Sequence, residues 1–134
     1  MPKQAWTVEL SCDEQGDVPV MEFTVKQRNP KIQAKIIKKM EYLRSQAESL
    51  GAENVGRPLV DTIDGDIKEL RVDKQVRLLF SWQHDEGVIL MLDGERKKNG
   101  KIDQALVERA KRSRQHWIKS KSVRTLQEAK AELG

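Results

Sequence analysis

Six cations are the residues of this chain best placed by type to do chemistry together: Arg71, Arg77, Arg96, Lys97, Lys98 and Lys101. Convergent arginines and lysines bind phosphate and stabilise the charge that develops when a phosphoryl group is transferred. A nucleotide-binding phosphate loop is excluded. Gly94 and Gly100 are one residue too far apart, and Ile102 stands where Ser or Thr must hold Mg²⁺. No GxGxxG opens a helix, so a dinucleotide fold is excluded too. One cysteine, Cys12, and two histidines, His84 and His116, are too few for a zinc site or a defensible Ser/His/Asp grouping. No metal and no cofactor is expected. Asp93 and His116 are the candidates for proton transfer.

Charge is distributed unevenly. The chain of 134 residues has a net charge of +4, yet Arg96 to Arg124 alone holds 11 basic and 2 acidic residues. Arg109, Lys111, Arg112 and Arg114 belong to that segment. Such a concentration attracts polyanions through salt-sensitive counterion release. The competing reading is a solvated helix face. Aromatic residues make up 4% and charged residues 34%, so one domain with an aliphatic core and a charged surface is expected. Only Trp117 interrupts the basic residues, which argues against a base-stacking sheet. The longest apolar run, Val88 to Leu92, is far short of the roughly 20 residues that span a bilayer. No apolar signal segment follows the first residues, and a lone cysteine suits a reducing compartment. A cytoplasmic protein without a membrane role is expected.

Local pattern places these residues on elements. Ala5 to Leu10 reads as a strand, and Val18 to Gln27 as a short helix capped by Asp17 with Pro19 in its first turn. Asn29-Pro30 caps a long helix whose apolar positions are Ile32, Ile36, Met40, Leu43, Ala47 and Leu50, ended by Gly51. Gly56 to Gly65 carries turn signals and reads as a loop. Three strands follow, one ending at Val72, then Val76 to Trp82, then Val88 to Leu92. A basic loop leads into a helix from Ile102 to Ile118, with a thin stripe of Ile102, Leu106, Ala110 and Trp117. A last helix spans Val123 to Leu133.

The first hairpin has an arguable register. A loop of Asp73-Lys74-Gln75 sets Val72 against Val76 and Leu70 against Leu78, one apolar face that Phe80 and Trp82 continue. A slip by one residue would mix apolar and charged faces. The favoured register places Arg71 opposite Arg77 on the other face, where two cations repel unless an anion or carboxylate lies between them. Pairing of these arginines with Glu69 or Asp66 is the alternative to a phosphate site.

The ordered set Gly56-Arg57-Pro58-Leu59, KELRV, VRLLF, VILML, Lys97-Lys98 and a basic helix resembles the RelE/HigB toxin superfamily, closest to its phage Gp49-like branch. The resemblance covers about residues 5 to 118. It implies an α+β, RelE-like fold with a small antiparallel sheet: an N-terminal strand, two helices, a three-stranded meander and a C-terminal helix. Residues 1–120 would form the toxin domain and 121–134 a helical extension. This chain departs from the family pattern with Asp93 where a histidine is often seen, and its one tyrosine, Tyr42, lies in the long helix.

The resemblance implies a toxin of a type II toxin–antitoxin module, a metal-independent endoribonuclease that cuts mRNA on the ribosome and stops translation. The substrate's own 2′-OH would attack the neighbouring phosphate. Arg77 would hold that phosphate, Lys97 and Lys98 would stabilise its charge, and Asp93 would share in proton transfer. Arg71, Arg96, Lys101, Arg109, Lys111, Arg112, Arg114 and His116 would bind RNA. The partners implied are the ribosome, mRNA and a cognate antitoxin, a small helix-turn-helix protein. Two rival readings are a non-catalytic toxin that binds a protein such as DNA gyrase, and an inactive homologue that serves the antitoxin in operon repression.

Overall fold

The computed structural model describes residues 4–96 and 102–134. Their α+β fold is a six-stranded sheet in the order β2-β3-β4-β5-β1-β6 with helices on both faces. The chain order is β1 (Thr7–Ser11), α1 (Pro19–Lys26), α2 (Pro30–Leu50), β2 (Val60–Asp64), β3 (Ile67–Arg71), β4 (Val76–Gln83), β5 (Val88–Arg96), α3 (Gln104–Ser120), β6 (Val123–Thr125) and α4 (Leu126–Leu133). No helix of the described residues is long and apolar enough to cross a membrane.

The long helix forms as its periodicity demands. Asn29 caps α2 by accepting a 2.9 Å bond from the Lys31 N–H, Pro30 pre-sets the first turn, and Gly51 leaves the helix with φ of 87°. Ile36, Met40, Leu43 and Ala47 are buried against Leu70, Val72, Val76, Leu78 and Phe80 in one core. The hairpin register is also as the pattern requires, with Leu70 facing Leu78 and Arg71 facing Arg77. Asp73 organises the loop, its Oδ1 accepting from Gln75 N–H at 2.8 Å and Val76 N–H at 2.7 Å.

Several expectations are corrected. The sheet is mixed rather than antiparallel, because β1 lies parallel to β5. Part of the expected 56–65 loop is β2, a polar edge strand paired with β3 through the Asp64-Gly65 turn. An edge strand draws its order from one neighbour and needs little apolar content of its own. Val123–Thr125 is not helical but pairs with β1 as β6, and α4 starts only after Thr125, which forms a capping box with Glu128. The N-cap of α1 is Val18 instead of Asp17. Asp17 donates its N–H to Asp13 Oδ1 at 2.8 Å and belongs to the preceding turn. Ala129 of α4 is buried in the core of α2, so residues after 121 complete the sheet and its packing.

The sheet is covered on both faces. Ile67, Leu79, Val88, Leu90 and Leu92 form a second core with Leu106, Val107, Ala110 and Trp117 of α3. That is why β4 and β5 read as nearly unbroken apolar runs. The face carrying Arg77 is therefore an interior, not an open surface.

Candidate functional site

Strand β5 positions the site by breaking its own alternation. Leu79 faces Asp93 across the β4–β5 ladder while Phe80 faces Met91, so Leu92 is an extra residue in a β-bulge. Leu92 and Asp93 consequently share the α3 face. Strict alternation would have turned Asp93 into the α2 core. Gly94 then falls on the α1 side, where an added Cβ would lie 2.5 Å from Cδ2 of Phe23. The absent side chain lets the Phe23 ring rest on bare strand backbone.

Between α1, α3 and this end of β5 lies a cleft of about 550 Å³. From α3 it receives Arg109, Arg112, Ser113 and His116; from α1, Glu22, Phe23 and Lys26; from β5, Asp93. Positions 109, 112, 113 and 116 recur at intervals of three and four, so they form one stripe on the helix beside the buried Leu106, Ala110 and Trp117.

Asp93 is the most confined of the charged groups in the cleft. Its residue is 9% exposed, Oδ1 accepts from the Gly94 N–H at 2.8 Å, and Oδ2 lies 3.7 Å from Nε of the half-exposed Arg109. Burial pushes its carboxyl up from the ordinary value; the Gly94 N–H and Arg109 oppose that shift without cancelling it, and Glu22 adds to it. A carboxyl held in this way can keep or deliver a proton nearer neutrality than a solvated one.

The raised proton affinity has a thermodynamic consequence. The folded state binds the Asp93 proton more readily than the unfolded state, so this group's stabilisation is complete below the unfolded carboxyl pKa of about 3.9. It is lost as pH rises through the higher folded value. Asp93→Asn keeps the oxygen that accepts from Gly94 and removes the titration. The melting temperature of the wild type relative to this variant should therefore fall as pH rises from 3 to 7. A constant difference across that range would refute the assignment.

The expected site residues do not all meet. Asp93, Arg109, Arg112 and His116 converge on the cleft. Lys111 and Arg114 lie on another flank of α3, where Lys111 Nζ is 2.6 Å from Asp64 and Arg114 is 3.6 Å from Asp66. Arg96 spans the β5 end, donating to Gln27 at 2.8 Å and Gln75 at 3.1 Å. Arg71 is exposed. Arg77 is 5% exposed, its Nε 2.8 Å from Glu69 Oε1 in an ion-pair contact and its Nη1 donating to the Asp73 carbonyl. Lys97, Lys98 and Lys101 lie outside the described residues.

Sequence reasoning missed Glu22, Phe23, Lys26 and Ser113. The helical stripe from Arg109 to His116 was the available signal for Ser113. Nothing local could assign α1 to the opposite wall.

Residues 24–115 match the family described as Phage derived protein Gp49-like (DUF891). The chain belongs to the Gp49-like family. This family is toxin-like and belongs to the toxin–antitoxin-related RelE-like group, so an antitoxin is the partner it suggests. No curated protein matches the chain significantly. The Gp49-like match spans α2, β2 to β5 and most of α3, and so includes Asp93, Arg109 and Arg112; His116 follows its last residue directly.

Proposed function

We propose that this Gp49-like protein is a cytoplasmic toxin of a type II toxin–antitoxin module, an endoribonuclease that cuts mRNA on the ribosome. The observation that carries this reading is the convergence of a buried Asp93, whose carboxyl is pushed up by burial, with Arg109, Arg112 and His116 in one open cleft. The substrate's 2′-OH attacks the adjacent phosphorus, so no protein nucleophile or metal is required. His116 accepts the hydroxyl proton, Arg109 and Arg112 stabilise the charge on the phosphate oxygens, and the Asp93 carboxyl donates to the departing 5′-oxygen. The P–O5′ bond breaks as the P–O2′ bond forms, leaving a cyclic phosphate and a 5′-hydroxyl.

In this scheme Arg77 serves the fold. Its guanidinium reaches Glu69 and the Asp73 carbonyl, so the phosphate-holding role passes to the α3 arginines. Lys97, Lys98 and Lys101 follow β5 in sequence and add cationic charge for RNA, with Arg71 and Arg96 contributing outer phosphate contacts. The antitoxin, a small helix-turn-helix protein, neutralises the toxin by covering these cations with acidic side chains.

Induction of the chain in growing cells, with transcript ends mapped, tests the proposal. Cuts within translated frames, carrying 5′-hydroxyl ends, are the expected result. His116→Gln and Arg109→Ala should each lower cutting by about 10²–10³-fold, the usual cost of losing one transition-state donor, while far-ultraviolet dichroism and melting stay near wild type. Growth arrest with intact transcripts and an induced DNA-damage response would instead indicate a gyrase-binding toxin. Neither cuts nor arrest would indicate an inactive homologue.

A further inference from the structure

The two walls of the cleft are chemically different, and the carboxylate on one of them has no place in phosphate binding. The α3 wall offers Arg109, Arg112 and His116; the α1 wall offers the carboxylate of Glu22 beside the ring of Phe23, with Lys26 one helical turn further on. An RNA phosphate approaching Glu22 would be repelled, whereas the N–H donors of a base would be held. Asp13, also on this side, already accepts from the Gln15 N–H at 3.0 Å and the Asp17 N–H at 2.8 Å, and its oxygen is engaged in its own turn. Glu22 is exposed and lines the cleft on the same side as Phe23.

Guanine is the base that fits. Its pairing edge presents N1–H and N2–H side by side, matching the two oxygens of one carboxylate. Adenine and cytosine place an acceptor nitrogen beside their amine, and uracil flanks its single N–H with two carbonyls. Each of those sets a lone pair against an anionic oxygen. Phe23, half-buried and seated on the bare backbone of Gly94, supplies a fixed apolar surface for the base plane next to this carboxylate.

Resting on the ribonuclease reading, the geometry points to Glu22 and Phe23 as the base-reading wall that selects a guanine nucleotide of single-stranded RNA beside the phosphate held by α3. Glu22 accepts from the two N–H groups, Phe23 stacks on the ring, and the cations opposite take the adjoining phosphate.

Binding of the full chain to labelled thymine pentanucleotides with one central guanine, inosine or adenine tests this. These probes lack the 2′-OH and cannot be cut by the proposed route, so the result is independent of catalysis. The guanine probe should bind about 5- to 150-fold tighter than the adenine probe, the range for one bidentate base contact, with inosine between them. Glu22→Gln, which turns one acceptor into a donor, should bring guanine and adenine within about two-fold. Phe23→Leu should weaken all three probes together by a similar factor.

Equal binding of the three probes by the wild type, or a guanine preference that survives Glu22→Gln, would overturn the inference. So would competition by free guanosine monophosphate at the affinity of the pentanucleotide, which would make the ligand a mononucleotide rather than RNA. Guanine-selective binding without transcript cutting would leave this wall standing and refute the nuclease alone. Transcript cutting with no base preference in the probes would do the reverse.

Discussion

Leu78→Asp will leave the chain without a cooperative folded state at 25 °C. Leu78 is fully buried at the centre of β4, faces Leu70 across the β3–β4 ladder and belongs to the core shared with Ile36, Met40 and Leu43 of α2. Truncating such a side chain already costs about 2–5 kcal/mol in lost transfer energy and cavity formation. The aspartate adds an unpaired charge where the neighbours are aliphatic and aromatic, which costs several kcal/mol more or forces protonation. The sum reaches the whole stability of a typical domain, about 5–15 kcal/mol. Circular dichroism and a thermal melt check it, and a soluble variant with an unshifted transition would show that the face assignment is wrong. Leu78→Met, which conserves volume, should cost less than about 1.5 kcal/mol at the same position.

Arg77→Ala is expected to destabilise the fold by up to about 3–5 kcal/mol, because it strips one close partner from a buried charge. Arg77 and Glu69 have side chains only 6% exposed, with 2.8 Å between Nε and Oε1. Removal of the guanidinium takes its 2.8 Å ion-pair contact from the Glu69 carboxylate and leaves the Asp73 carbonyl without its Arg77 donor. Replacing both partners by methionine removes the charge imbalance along with the attraction, so Arg77→Met with Glu69→Met should recover most of the loss. Denaturant melts of the single and double variants make the comparison. Additive losses in the double variant would mean that the two residues stabilise the fold separately. A loss of toxicity in Arg77→Ala would, on this account, reflect lost fold; the same loss in the stable double variant would restore Arg77 to the chemistry.

The parts of the fold legible in the sequence are those in which one residue pattern has a single low-energy arrangement. The stripe from Ile36 to Ala47 on α2 can be buried only as a helix, and Asn29-Pro30 and Gly51 mark its ends by their own backbone preferences. The β3–β4 register follows from apolar alternation, since any slip would bury Arg71 or Arg77 among the leucines of the other face. The edge strands β2 and β6 were not legible. Asp61, Thr62 and Asp64 on β2, and Arg124 on β6, have side chains suited to a loop; their hydrogen-bonding partners on β3 and β1 impose the extended form. The parallel seat of β1 beside β5 was equally hidden, because strand neighbours far apart in sequence leave no local trace.

For the site, residue types alone set the kind of chemistry open to the chain: many cations after Arg96, few histidines, a lone cysteine and no nucleotide-binding loop. Tertiary structure decided which of those cations are free to act. Glu69 takes Arg77, Asp64 takes Lys111 and Asp66 takes Arg114, all through contacts between elements. It also decided where Asp93 points, since one extra residue at Leu92 reverses the facing of everything after it. Residue type and local spacing set the charge and the period of each element. A charge becomes a site or a structural pair according to what stands opposite it, and here the opposite walls come from β1–α1 and α3, almost ninety residues apart in the chain.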